Sequence, residues 1–304
     1  MKKLLNKKLL PFFSWLFFIP YPCLGNDKVF PAKDIKSIHI QVPRLNLKVT
    51  PSDSPVHTVK GTKGLDCKVE KEALVIKSQD FSSKKAWSNK NKEKPLELEI
   101  SGPSKNLQIF SLFSDISISN WSQPVFISSF KSQIKSVNTK GSWHISLKEG
   151  AVNMKKHKSP LSVKAFKIHF NLNHSEGHFN FQVNEGKIAI KRSKGRMNFM
   201  SDKSKIQLTQ FIGNLKGFNR LGEIRATIQA DQVDISTEEG AVRFYFIKQG
   251  PKITAYTETG KIYAPRYFYK KFSGKSTQAS GRIKAKIKKG YVSVKTERGN
   301  IYIN

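Results

Sequence analysis

The chain has almost no cysteine. Of its 304 residues only Cys23 and Cys67 are cysteines, so a packed core rather than a disulfide framework must hold the fold. Acidic residues are also scarce, 22 against 54 lysines and arginines, for a net charge of +32. That imbalance points to anionic partners or to a strongly solubilised surface. Helical periodicity is nearly missing beyond residue 30, which argues against helical bundles and α/β folds. Past the first residues no apolar run approaches the ~20 positions a membrane-spanning helix needs. A hydrophobic content of 38% with 21 Phe and 8 Tyr nevertheless supplies a core.

What is present begins with four lysines, an apolar run from Leu9 to Tyr21, and Cys23-Leu24-Gly25 before polar sequence starts. That order predicts a secretory signal peptide over residues 1–25, cleaved after Gly25. Pro11, Pro20 and Pro22 interrupt the run, which disfavours a membrane anchor, and Pro22 disfavours lipidation at Cys23. Cleavage would remove four lysines and leave Cys67 as the single cysteine of a domain spanning residues 26–304. The expected location is outside the cytoplasm: periplasmic, outer-membrane-associated or at the cell surface.

IKSIHIQV (35–42), LNLKVT (45–50), ALVIKS (73–78) and LELEI (96–100) alternate apolar and polar residues as half-buried strands do. Between the last two lies a polar, lysine-rich stretch at about 80–95 that reads as a solvated loop. From about residue 106 the pattern becomes a lattice. Glycines at 141, 150, 177, 186, 195, 213, 222, 240, 260, 281, 290 and 299 each open the motif glycine, any, apolar, any, apolar, with one break at Gly217. Spacings fall at or near multiples of nine. Short strands feeding a common core, each entered through a glycine at positive φ, account for this. The predicted architecture is all-β, a β-helix or β-solenoid with two or three strands per coil. An antiparallel meander or β-sandwich is the alternative.

The paired strands SIHIQV and LNLKVT, then LEISGPSKNLQIFSLFSDISIS (97–118) with Pro103 and Leu107, then glycine-led repeats to residue 304, resemble the DUF4097-type and head-GIN-type adhesin domains of bacterial exported proteins. The resemblance implies a right-handed β-helix and an adhesin-like role in the bacterial envelope. It carries over no catalytic residue.

Sites for chemistry are weak. HSEGH places His174 and His178 around Glu176, but paired zinc histidines at that spacing need a helix, and here a turn is expected; no metal site is predicted. Cys67 in GLDCKVE reads as a half-buried thiol, and no nucleophile elbow is present. GKST (274–277) lacks the upstream glycine of a phosphate loop. Asp231, Asp234, Glu238 and Glu239 are the one acidic cluster that could serve a polysaccharide-active enzyme, and they read better as an exposed turn. Neither a cofactor nor a catalytic centre is expected. A periplasmic assembly or scaffold factor is a further alternative.

Charge remains. Lys187, Lys191, Arg192 and Arg196 in GKIAIKRSKGR, and Arg282, Lys284, Lys286 and Lys288 in GRIKAKIKKG, alternate with inward apolar residues. Stacked coils would align them into a basic face for an anionic glycan, lipopolysaccharide or an anionic membrane surface. Export makes nucleic acid a poor partner. The competing reading is solubility alone.

Overall fold

Alternation persists through long segments such as Leu161–Asn173, LSVKAFKIHFNLN. Leu161, Val163 and Ala165 point inward, then Phe166 and Lys167 both point outward, and Ile168, Phe170 and Leu172 point inward again. The phase slip marks a corner. In the computed structural model, which describes residues 27–78, 94–230, 232–246, 252–266, 268–282 and 291–304, such segments stack in parallel as a β-solenoid. Val125, Trp143, Leu161, Phe179 and Met197 stand in one register column. Residues 18 apart therefore meet, as Asn171 does when its Nδ2 donates to Asn153 Oδ1 at 2.9 Å. One coil is two nine-residue repeats, and thus two strand limbs.

The core is the sum of these inward columns. Trp143, Phe170, Phe179 and Phe181 are fully buried, and the rings of Phe170 and Phe181 meet edge to face at 4.9 Å. Removing one such side chain from water contributes ~2–3 kcal/mol. A Leu161→Ala change would open a cavity at about 2–5 kcal/mol.

Glycine marks corners that lie inside continuous strands, a correction to the expectation of turns between strands. Gly177, Gly195 and Gly213 occur within strands, with φ of 153°, 140° and 129°. They also stack: a Cβ on Gly195 would run into the carbonyl oxygen of Gly177, and one on Gly213 into that of Gly195. Close coil-to-coil approach, as much as φ, demands glycine here. Gly299 follows the rule above Gly240, whereas Gly281 does not. It pairs antiparallel with Ile253 and packs against Phe268. Gly290 lies outside the described residues.

Three residues before these glycines the same corner carries a side chain. Asn120, Asn138, Lys156, His174, Arg192 and Gln210, each 18 residues after the last, sit in the left-handed region with φ between 48° and 57°. That conformation costs roughly 1–2 kcal/mol for a non-glycine residue. It is held by the stack, because the N–H of Asn138, Lys156 and Arg192 donates at 2.9 Å to the carbonyls of Lys155, Asn173 and Thr209 in the following coil.

Chain order and stacking order diverge at both ends. Ser37–Gln41 and Arg44–Pro51 lie between Asn106–Ser119 on one side and Ala73–Ser78 with Leu96–Gly102 on the other. Antiparallel strands Leu65–Glu70 and Val56–Lys60 then cover the outermost coil. At the other end Tyr291–Arg298 and Ile301–Ile303 are inserted between the coil of Gln232–Glu239 and Val242–Phe246 and that of Lys252–Thr257 and Ile262–Tyr263. Ser276–Arg282 and Tyr269–Ser273 cover it as an antiparallel hairpin. Each end thus turns a parallel edge, a template for unwanted pairing, into an antiparallel cap.

The signal peptide predicted over 1–25 and most of the basic loop predicted at 80–95 lie outside the described residues, as do Lys284, Lys286 and Lys288 and the side chain of Arg282.

Candidate binding surface

The left-handed corner gathers the cations. Successive coils present Lys140, then Lys155, Lys156 and Lys158, then His174 and Glu176, then Lys191, Arg192 and Lys194, all exposed. Backbone bridges set Lys158 between Lys140 and Glu176. Glu176 is the single acid of this strip, 3.8 Å from Lys194. Of the four predicted residues whose side chains are described, Lys191 and Arg192 lie on this corner. Lys187 lies two residues past Glu185, nearer the other corner, beside Lys205, and Arg196 flanks the left-handed corner on the other limb beside His178. Lys140, Lys155, Lys156 and Lys158 were not expected from the glycine lattice. Comparing residues 18 apart would have found them.

Beneath the strip the interior is polar. Thr139 Oγ1 lies 3.1 Å from His157 Nδ1, the His157 N–H donates to Ser175 Oγ at 3.0 Å, and the Ser175 N–H donates to Ser193 Oγ at 3.2 Å. Hydroxyls here replace hydrogen bonds that the sharp corner withholds from the backbone. Burial lowers the His157 pKa from 6.5 to about 4, so the imidazole is neutral at pH 7 and the ridge charge is carried by lysine and arginine.

The phase-slip corner is built differently. Lys131, Glu149, Lys167, Glu185 and Lys203 occupy one register column in consecutive coils. Signs alternate at ~4.8 Å, so attraction between neighbours offsets the repulsion that stacked like charges would produce. Its interior starts as a hydroxyl network, with Ser114 Oγ 2.6 Å from Ser132 Oγ and Ser111 Oγ 2.8 Å from Ser114 Oγ, and turns apolar at Leu147, Ala165, Ile168 and Val183.

The remaining candidates separate. His174 occupies a left-handed corner, Glu176 faces Lys194, and His178 stands beside Arg196. GKST forms the tip of the terminal hairpin, with Gly274 at φ 57° and Ser273 opposite Ser276. Cys67 is buried opposite Ile76, and burial raises its thiol pKa. Glu239 pairs with Arg298 at 2.7 Å, and Asp234 stands between Lys216 and Ser293. Asp231 lies outside the described residues.

This geometry defines a parallel β-solenoid with capped ends and one basic edge. No family model matches the chain, and no curated protein matches it. Among solved structures it is similar to one described as a "putative cell adhesion protein" from Clostridium sporogenes, at 11% identity, covering 91% of this chain and 97% of that one, with a TM-score of 0.22. So low a score carries nothing further about fold or role.

Proposed function

We propose that this protein is an exported, non-catalytic binding module of adhesin-like type that holds anionic polymers along its left-handed corner. The ligand class is an acidic glycan, lipopolysaccharide or an anionic membrane surface. One observation carries the reading. Cations crowd the left-handed corner, where Lys140 stacks on Lys158 and the trio Lys155, Lys156 and Lys158 recurs two coils on as Lys191, Arg192 and Lys194 with Glu176 as the one acid between, while the same solenoid alternates lysine with glutamate one for one at its other corner. Solubility needs charge, but it does not need like charge concentrated on one edge. An aligned polyanion would relieve that repulsion and release counterions from both partners.

The test is retention on heparin and co-sedimentation with lipopolysaccharide over a salt series, using the chain without residues 1–25. Binding is expected at low ionic strength and should fall steeply as salt rises. Absence of binding at low ionic strength refutes the reading.

A further inference from the structure

A second linear feature follows the phase-slip corner. At each coil one residue drops out of the parallel ladder: Ser129 pairs with Leu147 and Lys131 with Glu149, but Phe130 and Lys148 are skipped. The same omission recurs at Phe166, Asn184 and Asp202. A bulge that stacks coil after coil makes a rail of side chains re-aimed outward. Between this rail and the adjoining strand face runs an open groove of about 800 Å³ from Ser128 to Arg220. Beyond Phe218, a wall of both, a further stretch of about 610 Å³ continues to Tyr256. The groove therefore follows the solenoid axis, across the strands.

Its lining combines apolar surface with neutral hydrogen-bonding groups. Phe166 and Met200 are 49% and 64% exposed, and Ser128, Ser146, Gln182 and Asn184 stand among them. Its charges sum to near zero along its length: Arg220 pairs with Asp202, the Lys148 ammonium sits 4.7 Å from the centre of the Phe130 ring, and Lys148, Lys164 and Lys295 are set against Glu238, Glu258 and Glu297.

We infer that this groove is a binding site for a linear, uncharged polysaccharide lying parallel to the solenoid axis. A sugar chain offers apolar C–H faces to Phe166 and Met200 and hydroxyls to serine and amide side chains, which matches both halves of the lining. An acyl chain would strand those polar groups without partners. A peptide strand would need a free sheet edge, and here the backbone is already paired on both sides. The near-balance of charge in the groove distinguishes its ligand from that of the basic corner, and the inference stands independently of the polyanion reading.

The test is co-sedimentation of the chain without residues 1–25 with insoluble cellulose, chitin, curdlan and mannan. It is run in about 1 M NaCl, where the screening length is ~3 Å and the basic corner is silenced. Binding to at least one of the four is expected, weakened at least about tenfold by Phe166→Ala with Met200→Ala. Both side chains are exposed, so the melting temperature should not move. The triple variant Lys155→Glu, Lys158→Glu, Lys191→Glu should bind as the parent does. No binding to any of the four glycans overturns the inference, as does binding that the groove variant leaves unchanged or that the corner variant abolishes.

Discussion

The two corners of each coil share a period, a core and a backbone ladder, yet they treat charge in opposite ways. Lys131, Glu149, Lys167, Glu185 and Lys203 alternate in sign up one corner. Across the other, Lys155, Lys156 and Lys158 are followed by Lys191, Arg192 and Lys194 with one glutamate between. The alternating corner shows how this lattice disposes of charge when only solubility and stacking matter. The basic corner departs from that solution at an electrostatic cost, which is the physical ground for assigning it a partner.

Breaking the basic corner's backbone should give the largest effect. Gly195→Ala drives a Cβ into the Gly177 carbonyl at φ 140°, a collision with backbone that no rotamer relieves. A loss of about 3 kcal/mol or more is expected in chemical denaturation. Gly64→Ala, at φ 75° with open space around it, should cost about 1 kcal/mol.

Acid should separate the corners next, because a buried histidine lies under the basic one only. The folded pKa of His157, about 4, is below its value of 6.5 when exposed. The unfolded chain therefore takes up the proton first. Stability from this group is complete above about pH 6.5 and is lost as pH falls toward 4, by at most about 3 kcal/mol. His157→Gln should flatten the stability profile between pH 6.5 and 4. His57, buried near the other end and also lowered to about 4 by burial and then by Lys105, leaves a residual slope in that variant.

Reversing charge probes the partner directly. Lys155→Glu, Lys158→Glu and Lys191→Glu together should weaken heparin binding about 100-fold, taking ~1 kcal/mol for each cation near an anionic surface. The salt dependence should become shallower at the same time. These side chains project from extended backbone, so the melting temperature should hold or rise as repulsion is removed.

The nine-residue lattice was legible in the sequence because inward alternation and glycine corners are local. Its closure into coils of 18 was not, since both limbs carry glycines and only register tells them apart. The inserted terminal coils were hidden for a related reason: the inward pattern of YVSVKT is the same whether it stacks outside DQVDIS or between that coil and KITAYT. Lys191 and Arg192 were visible as a run beside Gly195. Lys155, Lys156 and Lys158 were not, because their coil places Ser159 where Gly141, Gly177 and Gly195 stand and the glycine signal that organised the reading lapses there; Lys140 precedes a lattice glycine but stands alone, with no basic run to mark it. The bulged rail left a sequence trace as well, the double outward step at Phe166-Lys167, which looks like noise until it recurs every 18 residues.

The smallest effect tests the other side of the comparison. Lys167→Glu would place a carboxylate between Glu149 and Glu185 and convert an alternating column into three like charges in a row. Surface pairs are weak, so destabilisation of about 0.5–1 kcal/mol is expected, relieved by added salt. Heparin affinity should change by less than about threefold, since one distant cation is lost from outside the basic corner. If this single change weakened heparin binding as much as the triple reversal, the two corners would not be distinct. The polyanion would then be reading net charge, and the clustered cations would lose their special standing.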